Sequence, residues 1–153
     1  MKKIFLTTSP WQTKKLGETL SKEVLKTESQ KRALVINLEG DLGGGKTTFL
    51  QGLAKGLGIK ERITSPTFVI IKRFKMPNCP IVQLSNFYHL DCYRIKKPKE
   101  ILDLGFKEIV SGPRNIVAIE WADRIKKVIP KGTIWVSFAF LGTNKRKIVI
   151  KFK

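Results

Sequence analysis

The sequence of 153 residues predicts a single α/β domain, residues 1–153, with three layers and a mixed, mainly parallel central sheet to which antiparallel hairpins are added. Two observations support this prediction. An apolar run at residues 33–38 precedes a glycine-rich loop and a segment with helical apolar spacing, which is the order of a parallel strand and its crossover helix. Near the C-terminus, a short turn separates two apolar strands, which favours an antiparallel hairpin.

The first elements are predicted to be a strand and a helix. Residues 3–8 form a short edge strand. Ser9 suits the N-cap and Pro10 the first helical position, so a helix begins there and extends to about Lys26. Its buried stripe is predicted to contain Leu16, Leu20 and Val24.

The glycine-rich loop is predicted to bind phosphate, because Gly40-Asp41-Leu42-Gly43-Gly44-Gly45-Lys46-Thr47-Thr48 fits G-x-x-x-x-G-K-[ST]. Consecutive glycines let backbone N–H groups point inward and surround an anion. Lys46 would reach the outer phosphates, and the Thr47 hydroxyl would bind Mg²⁺. The helix predicted at residues 46–57 adds its positive end. In this P-loop NTPase-like domain, the expected nucleotide-binding residues are Gly43, Gly44, Gly45, Lys46, Thr47 and Thr48.

The rest of the chain is predicted to add one hairpin, a broken helix, a buried strand and a final hairpin. The turn at residues 76–80 indicates that the preceding strand, residues 69–74, doubles back on residues 81–84 or 87–91. The remaining elements are a helical pattern from Pro98 to Val110 broken near Gly105, a strand at 116–119, at most a short helix at 123–127, and strands at 134–141 and 146–152 joined by the turn 142–145.

Two carboxylates are candidates for a magnesium site. Such a site needs an acid at the end of an apolar strand, opposite the threonine hydroxyl, and both Glu120 and Asp91 end strands of this kind. We assign Glu120 to the metal, directly or through water, and Asp91 to orienting the attacking water or supporting the metal ligands. The reverse assignment stays open. The predicted metal ligands are thus Thr47 and Glu120, and the predicted catalytic residues are Lys46, Asp91 and Glu120.

Composition narrows the class of protein. The longest apolar run, Thr133–Leu141, is shorter than the roughly 18 residues that span a bilayer, and the first residues do not form a secretory signal, so we expect a cytoplasmic protein without membrane contact. Cys79 and Cys92 are expected to be free thiols, and His89 is the single histidine, which excludes motifs with two histidines. A net charge of +18 fits either contact with RNA or a lysine-rich codon bias.

Four separated blocks resemble the signature blocks of the TsaE (YjeE) family: Gly40–Thr48, Ser65-Pro66-Thr67-Phe68, His89-Leu90-Asp91-Cys92-Tyr93-Arg94 and Ile119-Glu120-Trp121. Their order and spacing agree with the family across roughly residues 10–130. The resemblance implies a small ATPase that acts with a bacterial transferase complex making threonylcarbamoyladenosine beside the anticodon of certain tRNAs. It implies that the ATPase binds the transferase and its companion subunit, and that ATP hydrolysis supports their repeated turnover.

The same resemblance implies roles for individual residues. Lys46, Thr47 and the loop backbone would hold ATP, Thr47 and Glu120 would hold Mg²⁺, and Asp91 would serve hydrolysis. By resemblance, Ser65–Phe68 would be a switch-like segment and Trp121 would lie beside the active site. The base pocket would lie between Pro10-Trp11 and the late turn near Asn144. Two features depart from the family: Gly44 replaces a usual alanine, and the positive charge is unusual.

Three rival functions stay open. A guanine-nucleotide switch expects N-K-x-D, but Asn144-Lys145-Arg146-Lys147 has lysine in the aspartate position, which counts against GTP. A small-molecule kinase needs an acceptor pocket and usually an arginine-bearing lid. A nucleic-acid-binding module would use the glycine loop on backbone phosphate without hydrolysis.

Overall fold

A computed structural model of the chain describes residues 1–27, 31–65, 70–76, 79 and 84–153. The strands are β1 (Lys2–Thr7), β2 (Leu34–Gly40), β3 (Ile71–Lys75), β4 (Asn86–Asp91), β5 (Asn115–Glu120), β6 (Ile134–Gly142) and β7 (Lys145–Phe152). The helices are α1 (Pro10–Leu25), α2 (Lys46–Gly56), α3 (Pro98–Leu102), α4 (Phe106–Ser111) and a 3₁₀ helix at Ala122–Val128. None of the helices in these ranges is long and apolar enough to cross a membrane.

The strands form one mixed sheet in the order β1-β7-β6-β2-β5-β4-β3. The four central strands, β6, β2, β5 and β4, run parallel, whereas β1 and β7 on one side and β3 on the other pair antiparallel. The predicted fold class is therefore confirmed. Of the two return segments proposed for the first hairpin, the second is the partner of β3, because Ile71 pairs with Leu90 and Lys75 with Asn86.

Helices cover the sheet on both faces and create two apolar clusters. One face packs against α1 and α2 through residues such as Leu20, Phe49 and Leu53. The other packs against α3, α4 and the 3₁₀ helix through residues such as Ile101 and Phe106. This arrangement confirms the three predicted layers, and it explains why the central strand β5 is buried along its whole length.

Local sequence determines where these helices begin and how closely they pack. The Ser9 hydroxyl accepts a hydrogen bond from the Gln12 N–H at 3.1 Å, and Pro10 occupies the first helical position, as predicted. Gly105, with φ of +86°, separates α3 from α4 at the predicted break. Where α1 crosses α2, a Cβ at Gly52 would lie only 1.8 Å from the Lys14 carbonyl oxygen, so the crossing requires glycine.

The strand register brings chemically important residues to one edge of the sheet. Asp91 and Glu120 are register partners at the ends of β4 and β5, and Leu38 near the end of β2 pairs with Glu120 on its other side. The glycine loop leaves β2 at this same edge and leads into α2. Parallel strands place their carboxyl ends together, so the loop and both carboxylates are neighbours.

Candidate nucleotide-binding site

The glycine loop adopts a conformation that side chains with a Cβ would not tolerate. Gly40, Gly43 and Gly45 have φ values of +134°, +74° and +93°. Gly40 also lies against β6, where an added Cβ would come within 2.3 Å of the Phe138 carbonyl oxygen. Within the loop, the Gly44 N–H donates to the Asp41 carbonyl at 3.0 Å. The loop therefore has a defined shape, set by glycine at the positions where the backbone turns.

Lys46 lies inside this loop and is held there by backbone. Its Nζ atom donates to the carbonyl oxygens of Gly40 and Asp41, each at 2.7 Å, and lies 4.1 Å from the ring centre of Trp121. Burial lowers the pKa of Lys46, while the carboxylates of Glu120, Asp123, Asp41 and Asp91 act in the opposite direction and favour its charged form. The lysine is thus a buried cation in contact with the loop that is predicted to hold phosphate.

Thr47 and Glu120, the two residues predicted to bind Mg²⁺, are in direct contact. The Thr47 hydroxyl donates to Glu120 Oε1 at 2.8 Å, and the His89 Nε2 atom lies 2.7 Å from Glu120 Oε2. Oxygen ligands at neighbouring corners of a Mg²⁺ octahedron lie about 3 Å apart, since each metal–oxygen distance is about 2.1 Å. The Thr47–Glu120 pair fits this spacing.

Mg²⁺ bound with a nucleotide commonly uses one or two protein ligands, with phosphate oxygens and water completing the octahedron. Within the described ranges, no group of three or more His, Cys, Asp or Glu side chains could hold a metal by itself. The Thr47–Glu120 pair is therefore consistent with a metal that arrives with its nucleotide.

The hydrogen-bond partners of Asp91 differ from those of Glu120. Its Oδ2 atom accepts a hydrogen bond from the Ser65 hydroxyl at 2.7 Å, and its Oδ1 atom accepts the Tyr93 N–H at 2.9 Å. Ser65 is the first residue of the segment proposed as a switch, whose residues 66–68 lie outside the described residues. Asp91 is thereby connected to the start of that segment, whereas Glu120 contacts the threonine of the loop.

Trp121 follows Glu120 in a left-handed conformation with φ of +56°. This turn places its ring against the Lys46 ammonium and 4.9 Å from the ring of Tyr93. The Arg124 guanidinium lies 5.4 Å from the Tyr93 ring centre and 5.6 Å from that of Trp121. The Trp121 ring therefore covers one side of the Lys46 ammonium, beside the glycine loop.

A cleft of about 330 Å³ lies over the loop, within the size range of small-molecule sites. The predicted nucleotide-binding residues Gly43, Gly44, Gly45, Lys46, Thr47 and Thr48 all line it. Its other lining residues are Leu42, Ser65, Glu120, Trp121 and Arg146. Asp91 does not line this cleft. The cleft thus combines backbone N–H groups, two cations and one carboxylate, which are groups that can contact a metal-bound polyphosphate.

Comparison with known proteins identifies the family. The sequence model described as "Threonylcarbamoyl adenosine biosynthesis protein TsaE" matches residues 7–148. The chain belongs to the TsaE family. TsaE family proteins function in tRNA threonylcarbamoyladenosine biosynthesis, and the resemblance drawn from the four sequence blocks is confirmed.

Individual TsaE relatives match most of the chain. The protein named tRNA threonylcarbamoyladenosine biosynthesis protein TsaE from Rickettsia typhi is 42% identical over 118 residues, which are 76% of this chain and 76% of the relative. The TsaE protein of Bacillus subtilis is 37% identical over 138 residues, covering 90% of this chain and 82% of the relative. The crystal structure of Bacillus subtilis YdiB superimposes with a TM-score of 0.74 at 30% identity, covering 99% of this chain and 86% of that one.

Three residues at the site of this TsaE family member escaped the sequence analysis as functional candidates. His89 contacts Glu120. Its place two residues before Asp91, in the third of the four blocks, was the feature of the sequence that could have indicated a role. Arg146 donates to the Gly43 carbonyl at 2.8 Å and lines the cleft. Thr13 of α1 lies at Gly45, where an added Cβ would come within 3.4 Å of its methyl group. Thr13 and Arg146 place the start of α1 and the β6–β7 turn beside the loop, near the region expected to hold the base.

Proposed function

We propose that this chain is a Mg²⁺-dependent ATPase that supports turnover of the transferase complex forming threonylcarbamoyladenosine in tRNA. The contact that best supports the proposal is the 2.8 Å hydrogen bond between Thr47 Oγ1 and Glu120 Oε1, next to Lys46 in the glycine-loop cleft. Membership of the TsaE family supports the link to tRNA modification. A tRNA-modifying role also fits the cytoplasmic location that we expected.

Each part of the cleft has a separate task in this proposal. Backbone N–H groups of the loop and the start of α2 bind the phosphates of ATP, because the helix presents unpaired donors and a positive dipole end. The Lys46 ammonium exchanges its two carbonyl contacts for phosphate oxygens. Thr47 and Glu120 hold Mg²⁺, which when bound neutralises phosphate charge.

Asp91 is proposed to orient the attacking water or to support the metal ligands. Its bond with Ser65 connects it to the start of the switch-like segment, so a movement of that segment would change the position of the carboxylate. We expect slow hydrolysis by the isolated chain. Lys46 and Arg146 are the cations that line the cleft, and further charge stabilisation would come from the transferase or its companion subunit.

Nucleotide binding and hydrolysis by purified variants test the proposal. Lys46→Ala and Glu120→Ala should lower kcat by about 10²–10³-fold or more while the fold is retained, because each removes charge at the reacting phosphates or the metal. Lys55→Ala, which removes an exposed lysine from the same helix, is the matched control and should retain activity. Normal hydrolysis by Glu120→Ala together with loss in Asp91→Ala would reverse the two carboxylate assignments. Absence of ATP uptake by the wild-type protein in calorimetry would end the ATPase proposal.

Reconstitution of tRNA modification tests the proposed role in turnover of the transferase complex. The transferase and its companion subunit should complete multiple turnovers only when this protein and ATP are both added. Salt-dependent RNA binding that survives Lys46→Ala, without ATP hydrolysis by the wild type, would instead favour a nucleic-acid-binding module. Phosphorylation of a small-molecule acceptor would favour a kinase, and equal use of GTP would contradict the preference for ATP.

A further inference from the structure

His89 is the single histidine of the chain and lies completely buried in β4. Its register partners are Lys72 on β3 and Ala118 on β5, so strands flank it on both sides. A histidine costs free energy to bury unless its nitrogen atoms find partners. Across the described residues, the one hydrogen bond of its side chain joins Nε2 to Glu120 Oε2 at 2.7 Å, and Nδ1 is without a partner.

The direction of this hydrogen bond follows from the chemistry of its partner. A carboxylate that binds Mg²⁺ only accepts hydrogen bonds, so in that form of Glu120 the donor is His89 Nε2–H. The same carboxylate accepts the Thr47 hydroxyl on its other oxygen, Oε1. Glu120 is 3% exposed and is therefore held at both oxygens in a buried position. Its Oε1 atom contacts Thr47, and its Oε2 atom contacts the histidine.

We propose that His89 is a positioning residue for the metal: it orients Glu120 so that Oε1 and the Thr47 hydroxyl are presented together to Mg²⁺. This inference rests on the proposed nucleotide site and adds the residue that determines the geometry of its carboxylate. Hydrogen-bond partners of metal ligands commonly change metal affinity by about 10–100-fold when they are removed. A histidine that only filled the core would have no such effect.

The test uses the full chain and measures ATP binding by calorimetry over a series of MgCl₂ concentrations and in EDTA. His89→Leu fills a similar space without an N–H donor. It should raise the Mg²⁺ concentration for half-maximal enhancement of ATP affinity by about 10–100-fold. Affinity in EDTA should stay within about twofold of wild type, because the loop and Lys46 are untouched. His89→Gln, whose amide N–H can replace the imidazole donor, should recover most of the Mg²⁺ response.

Asn115→Ala is the matched control. Asn115 is a buried polar residue at the opposite end of the same strand as Glu120, and its amide donates to the Ile109 carbonyl at 2.9 Å. The control should lower the thermal midpoint of unfolding without changing the Mg²⁺ response. If His89→Leu does not fold, His89→Asn replaces it, since the shorter amide keeps polarity but does not reach Glu120.

Two results would overturn the inference about His89 while leaving the proposed ATPase intact. One is an unchanged Mg²⁺ response in the folded variant that lacks the donor. The other is an equal shift in that variant and in Asn115→Ala, which would show a general effect of lost stability. Failure of the wild-type protein to bind ATP at any Mg²⁺ concentration would overturn the proposed function and this inference together.

Discussion

The two halves of the sheet are built differently, and the two candidate carboxylates lie in only one of them. In the parallel centre, every residue of β5 is buried, because helices cover both faces. In the antiparallel flank of β1 and β7, one face packs on the core through Ile148 and Ile150, whereas Ile4 and Leu6 on the other face are 54% and 69% exposed. Asp91 and Glu120, the candidate carboxylates, therefore end strands that packing fixes from both sides.

The largest expected difference between the two halves is in stability. Ile116→Ala in β5 should lower the free energy of unfolding by about 2–5 kcal/mol, because the side chain is fully buried and its removal leaves a cavity. Leu6→Ala in β1 should change it by no more than about 0.5 kcal/mol, since that side chain is mostly in solvent. Urea denaturation of both variants measures the contrast. Similar losses in both would show that the exposed face of the flank is covered in solution.

Two glycines with positive φ, Gly40 and Gly58, differ in the space around them. Gly40, at the end of β2, has the Phe138 carbonyl oxygen of β6 within 2.3 Å of an added Cβ, whereas an added Cβ at Gly58, with φ of +81°, would meet open space. Both alanine variants carry backbone strain, but Gly40→Ala must also separate β2 from β6. It should therefore cost about 1–3 kcal/mol more than Gly58→Ala in thermal or urea unfolding. Equal costs would contradict the close approach of the loop to β6.

Arg146 of β7 connects the antiparallel flank of the sheet to the glycine loop. Its guanidinium donates to the carbonyl oxygens of Gly43 and Gly142 at 2.8 and 3.1 Å and lies 4.8 Å from the Phe140 ring centre. Arg146→Ala should lower the free energy of unfolding by about 1–2 kcal/mol and weaken ATP binding.

The exposed neighbour of Arg146 provides the control, since Lys147→Ala should change the free energy of unfolding by no more than about 0.5 kcal/mol. Arg146→Lys should restore the variant only in part, because an ammonium does not reproduce the planar fork of the guanidinium. Unfolding and ATP titration curves for Arg146→Ala that match wild type would show that the two regions are independent.

The smallest effect expected is a difference in reaction rate between the two thiols. Cys92 follows β4 and is fully buried, and burial together with the charges of Asp91 and Asp123 raises its pKa to about 12. At pH 8 its thiol therefore stays protonated and unreactive, whereas Cys79 is partly exposed. Mass spectrometry after treatment with a maleimide should find Cys79 labelled first and Cys92 only in urea. Equal labelling of both in the folded protein would mean that the end of β4 opens readily.

Features that are local in the sequence could be predicted from it. The N-cap at Ser9, the break at Gly105 and the strand before the glycine loop each follow from neighbouring residues, and the structure has all three. The candidate carboxylates also came from the sequence, because apolar strands that end in an acidic residue are visible in it. What remained open was the partner of the strand near residue 70, since two segments had suitable composition.

The features of the site that the sequence did not predict depend on contacts between residues that are far apart in the chain. His89 meets Glu120 only because β4 lies beside β5 in the sheet, an order that no local pattern reveals. Arg146 reaches Gly43 across 103 positions of sequence. The different surroundings of Asp91 and Glu120 likewise depend on Ser65 and Thr47, which approach from separate segments. Sequence pattern therefore indicated candidate residues, and the topology determines which of them lie in contact.

Hydrogen bonds hold the glycine loop in place on two sides. The Lys46 ammonium donates to two of its carbonyl oxygens from inside the loop, and the Arg146 guanidinium donates to the Gly43 carbonyl from outside. If the loop binds ATP as proposed, the polyphosphate enters a site whose shape is already set in the folded chain, and little chain entropy is lost on binding. The rearrangement that we then expect is small: the Lys46 ammonium moves from the Gly40 and Asp41 carbonyl oxygens to the phosphates.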